Sequence, residues 1–229
     1  GEVIVVDMCN LDRLKQTFEG IDTIVHLAAS ASPSTMWDAV NRNNITGTYN
    51  VFVAAESCNC RRVIFASSIH AVSGYPAGYQ VHADDPVNPG DLYGVSKCFG
   101  EAMARFMATQ KTLSTIVIRI GSFTSLEEAK QADSIATMNL FVSHRDLHQI
   151  IRRCIDNEDI NFCILHGLSH NRFNRMEISS AETLVGYRPQ DDFTEANERL
   201  RSLHINTKVR PHSEKGGQAS GLRNELDGS

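Results

Sequence analysis

The feature that most restricts this chain is a regular alternation of short β-branched runs with helical stretches, each run ending in small or polar residues. The runs are Val3-Ile4-Val5-Val6 before Asp7, Thr23 to Leu27 before Ala28-Ala29, and Val63-Ile64-Phe65 leading into Ser67-Ser68. Thr115 to Ile118, ending at Gly121, and Phe162 to Leu165 complete the series. Continuous apolar runs of this length read as parallel strands buried on both faces. Between them, Leu11 to Phe18 reads as a short amphipathic helix closed by Gly20, and longer helices are expected from Thr35 to Ser57 and from Leu92 to Thr109. A loop rich in Gly and Pro runs from Ser73 to Gly90. Strands alternating with helices predict an α/β fold, a doubly wound parallel sheet with helices on both faces.

The length of 229 residues suits one large domain, assigned to residues 1–205 with a small substrate-binding portion toward its C-terminal side. Residues 206–229 are polar and rich in Gly and Ser, and read as a disordered tail. A net charge of −5 argues against nucleic acid as a partner. No apolar run is long enough for a membrane span, and no basic segment followed by an apolar stretch opens the chain. The six cysteines are scattered and match no common zinc spacing, so a reducing, cytoplasmic setting is expected. His144 and His148 stand at i, i+4, but no Glu or Cys at a fitting spacing completes a site, and no metal centre is assigned.

In an open parallel sheet, ligands bind beyond the carboxyl ends of the strands. That rule gathers Asp7, Ala28-Ala29, Ser67-Ser68 and Gly121-Ser122 into one crevice, where small residues let a flat cofactor approach the backbone. Tyr93 and Lys97 follow, one turn apart on one helix face. A free tyrosine titrates at about 10, too high for a base near neutrality, and a neighbouring cation favours the phenolate. Ser68 could donate a hydroxyl to the same substrate oxygen. Ser68, Tyr93 and Lys97 together read as a proton-transfer site beside a dinucleotide crevice.

Val6-Asp7-Met8, His26-Leu27-Ala28-Ala29, Asn44-Ile45-Thr46-Gly47-Thr48, Phe65-Ala66-Ser67-Ser68 and Tyr93-Gly94-Val95-Ser96-Lys97 resemble the extended short-chain dehydrogenase/reductases, the NAD-dependent epimerase/dehydratase superfamily, over roughly residues 1–190. The resemblance implies a Rossmann-type fold binding NAD, with NADP left open. It implies Tyr93 as the proton-transfer group, Lys97 as the holder of the nicotinamide ribose, and Ser68 as the polariser of the substrate oxygen. Asp7, Met8, Leu27, Ala28, Ala29, Asn44 and Ile120 join Tyr93 and Lys97 as implied cofactor contacts. Within the superfamily the chain is most similar to uronate dehydrogenases, on Ser67-Ser68-Ile69-His70, Leu92 through Glu101, Arg119-Ile120-Gly121-Ser122, Ser143 through Asp146, and Gly186-Tyr187-Arg188-Pro189. That likeness implies substrate contacts at Ser32, Ser68, His70 and Ser122, and a homodimer paired through the helices around Trp37–Ser57 and Tyr93–Thr109.

The chain departs from the pattern in three places. Ile69 replaces a polar substrate contact. No arginine lies between Ser122 and Ser143, only Lys130, which cannot reproduce a bidentate carboxylate clamp. The family's glycine-rich loop has no counterpart before Asp7, so the chain reads as N-terminally truncated. Its Thr23–Leu27 strand is expected at an exposed edge, and dinucleotide binding to these residues alone is expected to be weak. The leading functional expectation is an NAD(P)-dependent oxidoreductase moving hydride between nicotinamide and a sugar-like alcohol or carbonyl. The alternatives are a nucleotide-sugar epimerase or dehydratase, and a non-catalytic member of the fold.

Overall fold

The computed structural model describes residues 1–32, 34–131, 136–197 and 200. The expected tail at 206–229 lies outside the described residues. The architecture is a parallel sheet flanked by helices. Strands β1 (Thr23–His26), β2 (Arg62–Ser68), β3 (Ser114–Ile120) and β6 (Phe162–Gly167) pair in the order β1-β2-β3-β6. The register runs Val25↔Ile64, Ile64↔Ile116 and Ile116↔Cys163, without a slip. A two-stranded parallel piece, β4 (Ser122–Phe123) with β5 (Phe141–Val142), sits just beyond the end of β3.

The strand period of two divides the apolar side chains between two cores. Ile64, Ile116 and Ile118 face Leu147, Ile150 and Cys154 of α6 (His144–Asp156), with Ala181 and Val185 of α7 (Ser179–Val185). Val63, Phe65 and Val117 face the other way, onto Phe52 and Ala55 of α3 (Gly47–Ser57) and Ala104 and Met107 of α4 (Leu92–Gln110). Every residue of β2 is buried, as expected of a strand covered on both sides.

The expected strand at Val3–Val6 is not formed. Val3 and Val5 are 91% and 93% exposed, and only Val6 packs, against the cluster of Leu14, Val51 and Ala54. β-Branched residues fit a pleated surface but cannot supply the hydrogen-bonding neighbour, and among the described residues no strand pairs with this one. Helix α1 (Leu11–Phe18) forms as read, capped by Asn10 and ended by Gly20 at φ 76°. β1 has a single strand neighbour among the described residues, β2.

The long helical stretch is compound: α2 (Trp37–Ala39) runs through a π-helical segment, Val40–Thr46, into α3. Such wide turns are often found at functional sites, and this one contains Asn44. Also unforeseen were α5 (Leu126–Ala129), opened by a Ser125–Glu128 capping box, and α8 (Phe193–Ala196). An isolated bridge, Val81↔Met176, ties the Gly/Pro-rich loop to the C-terminal portion.

Helix α4 carries Tyr93 and Lys97, and glycine lets it lie against the sheet. A Cβ on Gly100 would stand 2.1 Å from the Phe65 ring, and one on Gly94 would stand 2.3 Å from the His70 carbonyl oxygen. Gly100→Ala is therefore expected to lower unfolding free energy by about 1–3 kcal/mol through overpacking. Gly78→Ala, with nothing within 4 Å of the added carbon, serves as the neutral control in the same urea melts.

Candidate active site

The crevice opens at the carboxyl ends of β1, β2 and β3, as the sheet rule requires. Its volume is about 720 Å³, and Ser68, His70, Tyr93, Lys97 and Ser122 all line it, with Leu27, Ala29 and Ile120 at the strand ends. Ser68 is the last residue of β2, paired with Ile120 of β3. Its hydroxyl accepts from the His70 backbone N–H at 3.2 Å, starting the 3-10 turn Ile69–Val72.

Helix α4 begins at Asp91, whose carboxylate accepts from the Gly94 N–H at 2.7 Å. Tyr93 therefore sits in the first turn, 8% exposed, and lines the crevice together with Ser68. Burial pushes the phenol above its ordinary pKa, the Ser68 hydroxyl pulls it back in part, and the charge of Asp91 adds to the rise. Lys97, one turn on, is 4% exposed and donates to the Ala66 carbonyl at 2.8 Å, with Nζ 5.5 Å from the centre of the Tyr93 ring. Desolvation brings its pKa down to about 8. The pair is adjacent as the Tyr–Lys spacing requires, but burial holds the phenol above its free value, not below it.

Asn44 is 2% exposed and spends its amide on the chain itself. It accepts from the Ser30 N–H at 2.8 Å and donates to the Ser30 carbonyl and to the Ser96 hydroxyl. It thereby pins the loop after β1 to α4. The other expected contacts are more dispersed. Asp7 forms an exposed ion pair with Arg42 at 2.7 Å, Met8 packs beside α3, and the Ser32 hydroxyl pairs with Ser34. None of these three lines the crevice. His26 is a core residue, bonded to Thr48 at 3.2 Å, and burial lowers its pKa to about 4.

Sequence reading missed the far wall, supplied by Leu140, Leu147, His148 and Ile151. The signal was present in the i, i+4 spacing of Leu147 and Ile151 on an amphipathic helix. His144 instead stacks on Phe123, with ring centres 4.4 Å apart, so the two histidines do not act as a pair. Asp146 is not a helix cap: Ser143 caps α6, while Asp146 is fully buried and accepts from Ser169 and from the N–H groups of Gln190 and Asp191. Among the described residues there is no group of three or more potential metal ligands, and no helix is long and apolar enough to cross a membrane.

The family model of the NAD dependent epimerase/dehydratase family matches residues 2–169. The NAD-dependent glucose-6-phosphate dehydrogenase of Haloferax volcanii is 32% identical over 206 residues, spanning 85% of this chain and 78% of that enzyme. The uronate dehydrogenase of Pseudomonas putida is 32% identical over 190 residues, spanning 83% of this chain and 68% of its own. A crystal structure of uronate dehydrogenase from Agrobacterium tumefaciens, a tyrosine-to-alanine mutant complexed with NAD, matches with a TM-score of 0.77 at 29% identity, over 93% of this chain and 76% of that one.

Lys97 is a buried cation without a carboxylate partner among the described residues, so it is expected to cost stability. Lys97→Met is expected to raise Tm by roughly 2–4 °C, equivalent to about 1 kcal/mol at this chain length. Below pH 8 the folded chain carries the buried charge. Between about 8 and 10.5 the folded lysine is neutral while the unfolded chain still binds the proton, so the wild type gains stability as pH rises. The advantage of Met should accordingly shrink across that window in calorimetric melts.

Proposed function

The chain belongs to the NAD-dependent epimerase/dehydratase family, and from that premise we propose that it is an NAD-dependent dehydrogenase of the extended short-chain type, oxidising a hydroxyl of a small sugar. The observation that carries this reading is the convergence of Ser68, Tyr93 and Lys97 in one crevice. The dehydrogenases among its relatives, which act on a sugar phosphate and on uronates by their names, support the same class.

The residues present suit the cofactor. Small side chains at Ala28 and Ala29 leave the backbone open to a flat ring, and Lys97 offers an ammonium with donors to spare for ribose hydroxyls. Leu27, Ile120, Tyr93 and Lys97 would hold the nicotinamide half. Asn44 contributes by holding the loop at Ser30, and Asp7 and Met8, which do not line the crevice, are assigned to the adenine end of the cofactor. NAD, when bound, supplies the hydride acceptor. Tyr93, ionised beside the charge of Lys97, takes the proton from the substrate hydroxyl and becomes the neutral phenol, while Ser68 orients that hydroxyl.

The substrate contacts we assign are Ser68, His70 and Ser122, with Ser32 on the adjoining loop. A neutral sugar suits this lining better than a uronate. No arginine occurs among the described lining residues, and Lys130 is engaged by Glu127 at 2.7 Å. The six cysteines are all free, as suits a reducing cytoplasm. We assign a homodimer, because Tyr49 on α3 and Val95 and Phe106 on α4 leave large apolar side chains about half exposed on neighbouring helices.

Two measurements check this proposal. At millimolar NAD, absorbance at 340 nm should rise with aldoses and less with uronates, and Tyr93→Phe should abolish nearly all of it while leaving NAD affinity within a few-fold; turnover retained in that variant would sink the assignment. Light scattering should give about twice the 25.4 kDa chain mass, and a monomer mass at micromolar concentration would refute the dimer.

A further inference from the structure

Between the end of β2 and the start of α4, one carboxylate serves two structures. Oδ1 of Asp91 accepts from the Gly94 N–H at 2.7 Å and caps α4, the helix carrying Tyr93 and Lys97. Its Oδ2 stands 2.6 Å from Nδ1 of His70, which lines the crevice. The His70 ring in turn meets the Tyr93 ring edge to face, with centres 5.4 Å apart. The two segments lie in close contact, since a Cβ on Gly94 would stand 2.3 Å from the His70 carbonyl oxygen.

We propose that Asp91 is a positioning residue that locks His70 with its proton on Nδ1, leaving Nε2 as a hydrogen-bond acceptor for a substrate hydroxyl. A carboxylate can only accept, so the nitrogen facing it must be the donor. A neutral imidazole has one donor and one acceptor, so the other nitrogen is then fixed as the acceptor. Free imidazole has no such constraint. The cap and the tautomer are set by opposite oxygens of one side chain, which ties the orientation of the substrate acceptor to the start of the helix bearing the proton-transfer tyrosine. The substrate half of this inference rests on the dehydrogenase reading above; the tautomer half does not.

Asp91→Asn separates the two tasks. Asparagine caps helices as well as aspartate does, so the fold is retained. With its oxygen on Gly94, its NH₂ group faces His70 and donates, which reverses the ring: Nδ1 becomes the acceptor and Nε2 the donor. Long-range proton–nitrogen correlation spectra of histidine-labelled protein at alkaline pH read this directly, with the His70 signal identified by its loss in His70→Gln. The wild type should show an Nδ1–H ring and Asp91→Asn an Nε2–H ring, at an unchanged Tm. Turnover should follow, with KM for the sugar rising roughly ten-fold for one misdirected hydrogen bond and KM for NAD unchanged. An Nε2–H ring in the wild type, or a ring that does not reverse in Asp91→Asn, would overturn the proposal. A reversed ring with sugar KM unchanged would overturn its substrate half. If no sugar is oxidised at all, the dehydrogenase reading fails while the spectra still decide the tautomer.

Discussion

The site depends on one buried ion pair. Glu101 of α4 and Arg119 of β3 are 3% and 1% exposed at their side chains and meet through two parallel bonds of 3.0 and 2.9 Å. The same carboxylate accepts the Ser67 hydroxyl from β2 at 2.5 Å. Three elements are thus joined at one point, immediately beneath Ser68 and one turn beyond Lys97. Removing one partner of such a pair leaves an uncompensated buried charge, at a cost of about 3–5 kcal/mol, whereas an apolar replacement of both can be neutral. The pair is therefore better understood as fixing the position of α4 on the sheet than as a source of net stability.

Its second effect is electrostatic. Lys97 and Glu101 are four residues apart on one helix, a spacing that ordinarily makes an ion pair. Arg119 takes Glu101 instead. Lys97 is left with a backbone carbonyl as its hydrogen-bond acceptor, and burial then lowers its pKa to about 8. Its charge is undiluted and faces a crevice of low polarity, where a developing negative oxygen would gain most from it. His26, behind the same wall, is kept neutral by burial and by Lys97 itself. The unpaired cation at the crevice exists because the carboxylate one turn away has been taken by another residue.

Much of this was legible in the residues. The strand runs, the helix carrying Tyr93 and Lys97, and the gathering of Ser68 with them follow from period, spacing and the rule for ligand position in parallel sheets. What was not legible depends on partners distant in the chain. Val3–Val6 has the composition of a strand but lacks a neighbour to bond with. Arg119 read as part of a resemblance motif, and its commitment to Glu101 became visible only when β3 lay beside α4. Asp91 lies just outside the motif that begins at Leu92, and its two tasks became visible only when the turn after β2 brought His70 to its second oxygen. Leu147, His148 and Ile151 have the pattern of a core helix, and their place on the crevice wall comes from where α6 begins, which no local pattern encodes.

That placement is set from the opposite end of the sheet. Arg62, the first residue of β2, is 1% exposed and makes no ion pair among the described residues, Asp22 being taken by Arg61. It donates to the carbonyls of Cys154 at 2.7 Å and Ile160 at 2.8 Å, to that of Asn157, and to the Ser114 hydroxyl. Two of those carbonyls belong to the last turn of α6 and its C-terminal flank, where unpaired acceptors and the helix dipole favour a cation. One arginine therefore anchors the end of α6 under the amino ends of β2 and β3. With that end fixed, the helix length carries its first turns up to the carboxyl ends of the strands, where Leu147 and His148 meet the crevice. The amino end of the sheet is closed by the same contacts, so the carboxyl end is where the strands leave room for a ligand.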